Sequence, residues 1–349
     1  MKRNLYICYT YYHIYISILE IFFRKKQEKS ENYLIIADHI FNGEEVKERL
    51  EKYNFIEKIY FVRDLKLKRR VCNNFFYCIF YRIILGFLFK KENKELYKDL
   101  IKYSDLNVNM FLDSTTTSHF FMYNYRNLFL VEEGMLIYCP RKKVFQDYLY
   151  FLLLIPQRVG RDKRILKIRI QYPERLPEDI IQKGERLNLQ LYINKLNFEE
   201  KKIILNIFGF NEKNIEKLKE KKNILYTQPL SEDGTITEKE KIELYSKIIK
   251  NYKEETLVIK QHPKDKTDYK KIFPDIEVLD QNFPAELFSL LDMKFEKAIT
   301  LFSTAVLSDK NIKIDFYGTE VHPKILKRFG RMEHIMQTNA FIKEKIFNK

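Results

Sequence analysis

Short apolar runs rich in β-branched and aromatic residues recur along this 349-residue chain, each separated from the next by a segment long enough for a helix. That alternation constrains the fold more than any other feature. The first series is Leu5 to Tyr9, Tyr33 to Ala37, Ile56 to Val62, Val108 to Leu112 and Leu128 to Val131. The second is Asn223 to Thr227, Thr256 to Lys260, Ile276 to Leu279, Ala298 to Phe302 and Lys313 to Tyr317, with helical segments such as Lys239 to Tyr252 and Glu286 to Leu291 between them. Strands joined by crossover helices pair in parallel, so each series predicts one α/β sheet. The length agrees, because it exceeds what one core organises and suits two domains.

The predicted organisation is a Rossmann-like domain over 1–140, a basic and helical connection over 141–222, a second Rossmann-like domain over 223–323 and a helical tail over 324–349 that could cross back onto the first domain. Pro156, Pro173, Pro177 and Gly184 interrupt regular structure in the connection. Two such domains are expected to face each other across a cleft. Ligands of open parallel sheets bind at the carboxyl ends of strands, so chemistry is sought there.

Hydrophobic residues make up 45% and aromatics 15%, with 24 Tyr, 28 Phe and no Trp, which supplies packed cores and excludes disorder. A balance of 63 Lys+Arg against 48 Asp+Glu gives +15, a field that draws nucleic acid, nucleotide-sugars or acidic lipid. A bias toward Lys, Ile, Asn and Tyr accounts for it equally well. No RRM-type, helix-turn-helix or zinc-finger signature is present, so a nucleic-acid partner is not expected. Cys8, Cys72, Cys78 and Cys139 have neither C-x-x-C nor metal-ligand spacing, which fits a reducing cytosol.

The apolar stretch Leu5 to Phe23 looks like a leader, but Thr10, His13, Ser17 and Glu20 interrupt it. It reads as a strand (Asn4 to Tyr9), a polar turn (Thr10 to His13) and a helix (Ile14 to Arg24). Phe75 to Phe89 and Tyr148 to Ile155 are shorter than the roughly 20 residues that span a bilayer. Aromatic stretches beside the basic segments Lys66 to Arg70 and Arg158 to Arg169 leave open peripheral attachment to the inner face of the cytoplasmic membrane. The aromatic helix Phe75 to Phe89 leaves open a homodimer, with the domain core its preferred place.

Five polar clusters follow strands. Gln228-Pro229-Leu230-Ser231-Glu232-Asp233-Gly234 sets carboxylates on a glycine turn, where one can act as a base or simply cap the helix behind it. Lys260-Gln261-His262-Pro263 offers a histidine able to donate to a leaving phosphate; of the two His-Pro pairs only this one follows a strand beside the acidic turn, and His322-Pro323 is assigned to structure. Phe302-Ser303-Thr304-Ala305 offers hydroxyls and free N–H groups for a phosphate, or an ordinary N-cap. In the first half, Asp113 to His119, including Ser114, and Glu132-Glu133-Gly134 place polar groups on the acceptor side. No G-x-G-x-x-G, Walker loop or D-x-D occurs, which speaks against dehydrogenase, kinase and metal-dependent transferase chemistry.

The opening Tyr6-Ile7-Cys8-Tyr9-Thr10-Tyr11-Tyr12-His13, the segment Gln228 to Gly234, His262-Pro263, Phe283-Pro284-Ala285-Glu286 and Ser303-Thr304 together resemble glycosyltransferase family 52. The resemblance implies the GT-B architecture and a metal-independent, inverting transfer of sialic acid. CMP-sialic acid is the implied donor and a terminal galactose of a bacterial lipooligosaccharide or capsule the acceptor. UDP-sugar-dependent hexosyl transfer is the alternative within the family. By motif, Asp233 is the implied base and His262 the group on the departing CMP phosphate. Ser303 and Thr304 hold that phosphate, Glu286 binds ribose hydroxyls, and Gln228, Gly234 and Pro263 complete the donor side. Glu132 and Glu133 compete with Asp233 as the base, and Thr10, His13, Asp113 and Ser114 stand on the acceptor side. No cofactor is expected.

Overall fold

The computed structural model describes residues 1–71, 80–133, 135–138, 148, 152–210, 212–279, 283–291, 293, 295–303, 305–306 and 312–332. In both halves the apolar runs become strands buried along most of their length, the pattern of a parallel sheet covered on two faces. The chain divides into two units, Met1–Ile207 and Phe208–Lys349.

The first unit holds β1 (Lys2–Cys8), β2 (Ser30–Ala37), β3 (Lys58–Val62), β4 (Asn107–Met110), β5 (Asn127–Val131), β6 (Ile165–Ile170) and β7 (Gly184–Arg186). All pair in parallel, in the order β3-β2-β1-β4-β5-β6-β7. The second holds β8 (Asn223–Tyr226), β9 (Leu257–Lys260), β10 (Glu277–Leu279), β11 (Lys297–Thr300) and β12 (Lys313–Phe316), also parallel, in the order β10-β9-β8-β11-β12. Each order reverses once, at β1/β4 and at β8/β11, and a sheet of this kind opens a crevice at its reversal. Separate cores form around Leu5, Ile35, Val108 and Phe121, and around Leu225, Ile259, Tyr245 and Ile299.

The segment read as a connection contributes β6 and β7, so the first domain extends well beyond residue 140. Its strand Ile-Leu-Lys-Ile-Arg-Ile hid behind two cations. Arg169 is buried and paired with Glu20 of the helix Tyr11–Lys25, which Arg24 also reaches at 2.7 Å, and it donates to Asn109 Oδ1 at 2.8 Å. Buried charges of this kind persist only when paired. Other cations of the stretch are likewise committed, Arg161 to Asp179 and Arg164 to Asp162, while Lys66 and Arg70 share Glu92.

The expected turn Thr10 to His13 is instead the cap and first turn of the helix Tyr11–Lys25: the Thr10 hydroxyl accepts the His13 N–H, satisfying an end donor. Of the aromatic run Phe75 to Phe89, the helix Tyr81–Glu92 is described; it buries Tyr81, Leu85 and Phe89 and exposes Ile83 and Phe87. His322 caps the helix Pro323–Phe329, in keeping with its structural assignment. The tail beyond Met332, and Cys72, Cys78 and Cys139, lie outside the described residues. Among the described residues no helix is long and apolar enough to cross a membrane.

Candidate active site

In the second unit the sheet order brings the donor-side motifs together. Along the carboxyl edge, β9 leads into Gln261-His262-Pro263, its neighbour β8 into Thr227 to Gly234, and β11, on the far side of β8, into Phe302-Ser303. Glu286 lies in the 3-10 turn Ala285–Leu290 that follows β10. Thr304 lies outside the described residues.

His262 is half-buried. Its own N–H donates to Thr227 Oγ1 (3.1 Å), and its Nδ1 accepts the N–H of Lys264 (3.1 Å). An accepting Nδ1 puts the ring proton on Nε2, so the imidazole offers Nε2–H as a donor. Burial pushes its pKa down to about 4, and the charges of Lys260 and Lys264 add to the fall, while Asp265 and Asp233 oppose it. The ring is therefore neutral at pH 7. Ser303 is held by its N–H to Thr300 Oγ1 at 2.8 Å, and its hydroxyl takes the Ala305 N–H at 3.3 Å. The Gln228 N–H donates to Tyr245 OH (2.8 Å), its backbone carbonyl accepts the Leu230 N–H, and its buried Oε1 has no partner among the described residues. Gly234 adopts φ +68°, a region open to glycine, and Asp233 and Pro263 are exposed.

The loop carrying His262 is fixed from below by a lysine that belongs to none of the sequence motifs. Lys241, on the helix Glu238–Ile249, is fully buried, and its ammonium meets Asp265 Oδ1 at 2.9 Å, Glu232 Oε2 at 3.0 Å and Glu238 Oε2 at 3.1 Å. Asp265 in turn accepts the Thr227 hydroxyl (2.7 Å), the same hydroxyl that takes the His262 N–H, while Glu232 accepts the Lys266 N–H (2.6 Å). Burial works against the charge of Lys241, but the bonds to Asp265 and Glu232 outweigh it and hold its pKa above the usual lysine value. The acidic turn and the His-Pro loop are thus one hydrogen-bonded body. The sequence did carry a signal: Lys241 stands at the apolar spacing of Leu244, Tyr245 and Ile248.

In the first unit the corresponding groups follow β1, β4 and β5, neighbours around the reversal. Glu132 is buried with both oxygens engaged, Oε2 by Tyr138 OH (2.9 Å) and the Gln171 N–H (2.6 Å), and Oε1 by Gln171 Nε2 (3.0 Å). Glu133 is exposed as a residue, yet the protein around its carboxyl desolvates it and, with the charge of Asp113, pushes its pKa up to about 7. Gly134 lies outside the described residues. Asp113 is buried and accepts the N–H groups of Val159 (2.9 Å) and Gly160 (2.7 Å), so it anchors a loop, and Ser114 is exposed. Thr10 is spent as a cap. His13 is buried against Phe111, its Nδ1 accepts the Tyr9 N–H (3.1 Å), and burial, helped by His39, lowers its pKa to about 3. Two further strand-end residues went unread: His39 after β2 and Asp64 after β3, joined at 3.0 Å.

Two parallel Rossmann-like sheets with polar loops at their carboxyl edges define a GT-B type α/β fold, and comparison with known structures agrees. A Photobacterium sp. JT-ISH-224 2,6-sialyltransferase, solved with CMP and lactose, is similar over 99% of this chain and 77% of its own, with a TM-score of 0.61 at 12% identity. The GT-B domain of a Photobacterium damselae sialyltransferase is similar over 99% of this chain and 98% of its own, with a TM-score of 0.59 at 11% identity. An uncharacterized protein of Haemophilus influenzae is 43% identical over 208 residues, 60% of this chain and 67% of its own. The model of glycosyltransferase family 52 matches residues 51–325. The chain belongs to glycosyltransferase family 52 and is a glycosyltransferase.

Proposed function

We propose that this enzyme is an inverting, metal-independent sialyltransferase that moves sialic acid from CMP-sialic acid to a terminal galactose of a bacterial lipooligosaccharide or capsule. The observation that carries the reading is the carboxyl edge of the second sheet, where a neutral imidazole with its ring proton on Nε2 follows β9 on the same edge as the loops after β8 and β11.

The acceptor hydroxyl loses its proton to a carboxylate while its oxygen bonds to the anomeric carbon of sialic acid, and the bond from that carbon to the CMP phosphate oxygen breaks. The leaving phosphate gathers negative charge, which His262 Nε2–H and the Ser303-Thr304 segment stabilise. That anion also raises the basicity of the imidazole toward the range of a proton donor. The unpartnered Oε1 of Gln228 suits an amino or hydroxyl donor of the nucleoside, and Glu286 suits ribose hydroxyls. Among the competing carboxylates we favour Glu133 as the base. Its pKa of about 7 matches a proton acceptor at neutral pH, whereas Glu132 is saturated by hydrogen bonds. Asp233 is the rival.

The test is incubation of the purified chain with CMP-sialic acid and lactose in EDTA, read by mass spectrometry. Sialyl-lactose formed by the wild type and reduced by about a hundredfold or more in His262→Ala supports the reading. Transfer from UDP-hexoses only, or full activity of the variant, overturns it.

A further inference from the structure

The first sheet carries a second oriented imidazole, and its chemistry differs from that of His262. His39 follows β2, and its Nε2 lies 3.0 Å from Oδ2 of Asp64, the first residue of the helix Asp64–Val71 that follows β3. Asp64 is fully buried. Its other oxygen accepts the Thr117 N–H (2.6 Å), the Thr117 hydroxyl (2.6 Å) and the Thr116 hydroxyl (2.8 Å), at the N-terminus of the helix Thr116–Asn124 that follows β4. Burial alone raises a carboxyl pKa, but the bonds from His39 and Thr117 outweigh it here and hold Asp64 below its usual value. An ionised carboxylate can only accept, so His39 donates to it from Nε2, and the neutral ring then keeps Nδ1 as an acceptor. Tyr9, after β1, meets the ring edge-on at 5.3 Å and fixes its plane, and the Tyr9 hydroxyl is itself pinned by Ser118 Oγ at 2.9 Å. Groups after β1 and β3 thus hold His39, exposed as a residue but with only 27% of its side chain exposed, and groups after β4 hold those in turn, beside the sheet reversal where ligands of such sheets bind.

We infer that His39 is an acceptor-binding residue of the first domain, with Asp64 its positioning residue, and that Nδ1 receives a hydrogen bond from a sugar hydroxyl. The chemistry selects this ligand class. A lone acceptor nitrogen beside a buried carboxylate favours a neutral donor and repels phosphate or carboxylate groups, so the nucleotide is excluded from it and the neutral glycan is not. The inference rests on the transferase reading and adds the hydroxyl contact that the sequence motifs do not contain.

The experiment uses lactose as the probe, with wild type, His39→Ala and Asp64→Asn. Saturation kinetics should show a rise of about tenfold in lactose KM for His39→Ala, the scale of one lost hydrogen bond, with donor KM unchanged. Nitrogen-15 histidine spectra provide a readout that a structural role would not move: His39 should be the Nε2–H tautomer in the wild type and shift toward Nδ1–H in Asp64→Asn, and lactose should shift its Nδ1 signal in the wild type alone. Failure of the wild type to transfer sialic acid overturns the sialyltransferase reading and this inference with it. An active wild type with unchanged lactose KM in a folded His39→Ala, or a lactose-insensitive Nδ1, overturns the inference alone.

Discussion

Replacing Lys241 with Met leaves a hydrophobe of similar length among three carboxylates. Lys241 and Asp265 are both fully buried, and removing one partner of such a pair costs about 3–5 kcal/mol. Glu232 and Glu238 are partly exposed and add little through solvent screening, so the lower figure is the better guide. At roughly 2–4 °C per kcal/mol, the second unit should melt about 6–12 °C below the wild type at pH 7.5. The pH dependence tests the cause. In the wild type, burial raises Glu232 and Glu238, but hydrogen bonds from Lys266 to the first and Ser231 to the second, with Lys241 on both, hold them below the usual carboxylate value. Their stabilisation is present above that value and lost as pH falls through the folded one. In the variant, buried carboxylates without a cation are raised, so the penalty is present at neutral pH and fades toward pH 4. Differential scanning fluorimetry at pH 7.5 and 4.5 should therefore show the gap narrowing, and Asp265→Asn added to Lys241→Met should recover part of the loss. A gap under about 2 °C, or one independent of pH, refutes the reasoning.

Glu133→Gln should lower turnover by a factor on the order of a hundred and abolish the acidic limb of the rate profile near pH 7, because only the ionised carboxylate accepts a proton. If Asp233→Asn alone abolishes turnover, the base is Asp233. Titration of labelled His262 should place its pKa near 4 in the free enzyme and higher with CMP bound; a value unmoved by CMP removes it from the phosphate site. Gly160→Ala should destabilise the first unit by roughly 1–3 kcal/mol in urea unfolding, since φ is +76° and a Cβ would meet Ile168 Cδ1 at 2.5 Å.

The strands were legible in the sequence wherever an unbroken apolar run marked burial on both faces, and their ends carried the motifs that the sheet order then placed side by side. β6 was not, because Arg169 counts as basic in a sequence and becomes a core residue only through Glu20, 149 positions away. The same limit hid Asp64, whose partners come from two other segments. Composition shows which residues carry charge; which charges neutralise one another is set by tertiary pairing.

Calorimetric titration of the wild-type chain with CMP, and in parallel with UDP and UMP at physiological salt, tests the donor most directly. The account predicts that CMP binds and raises the melting temperature while UDP does neither. Preferential binding of UDP would contradict it and make this family member a hexosyltransferase.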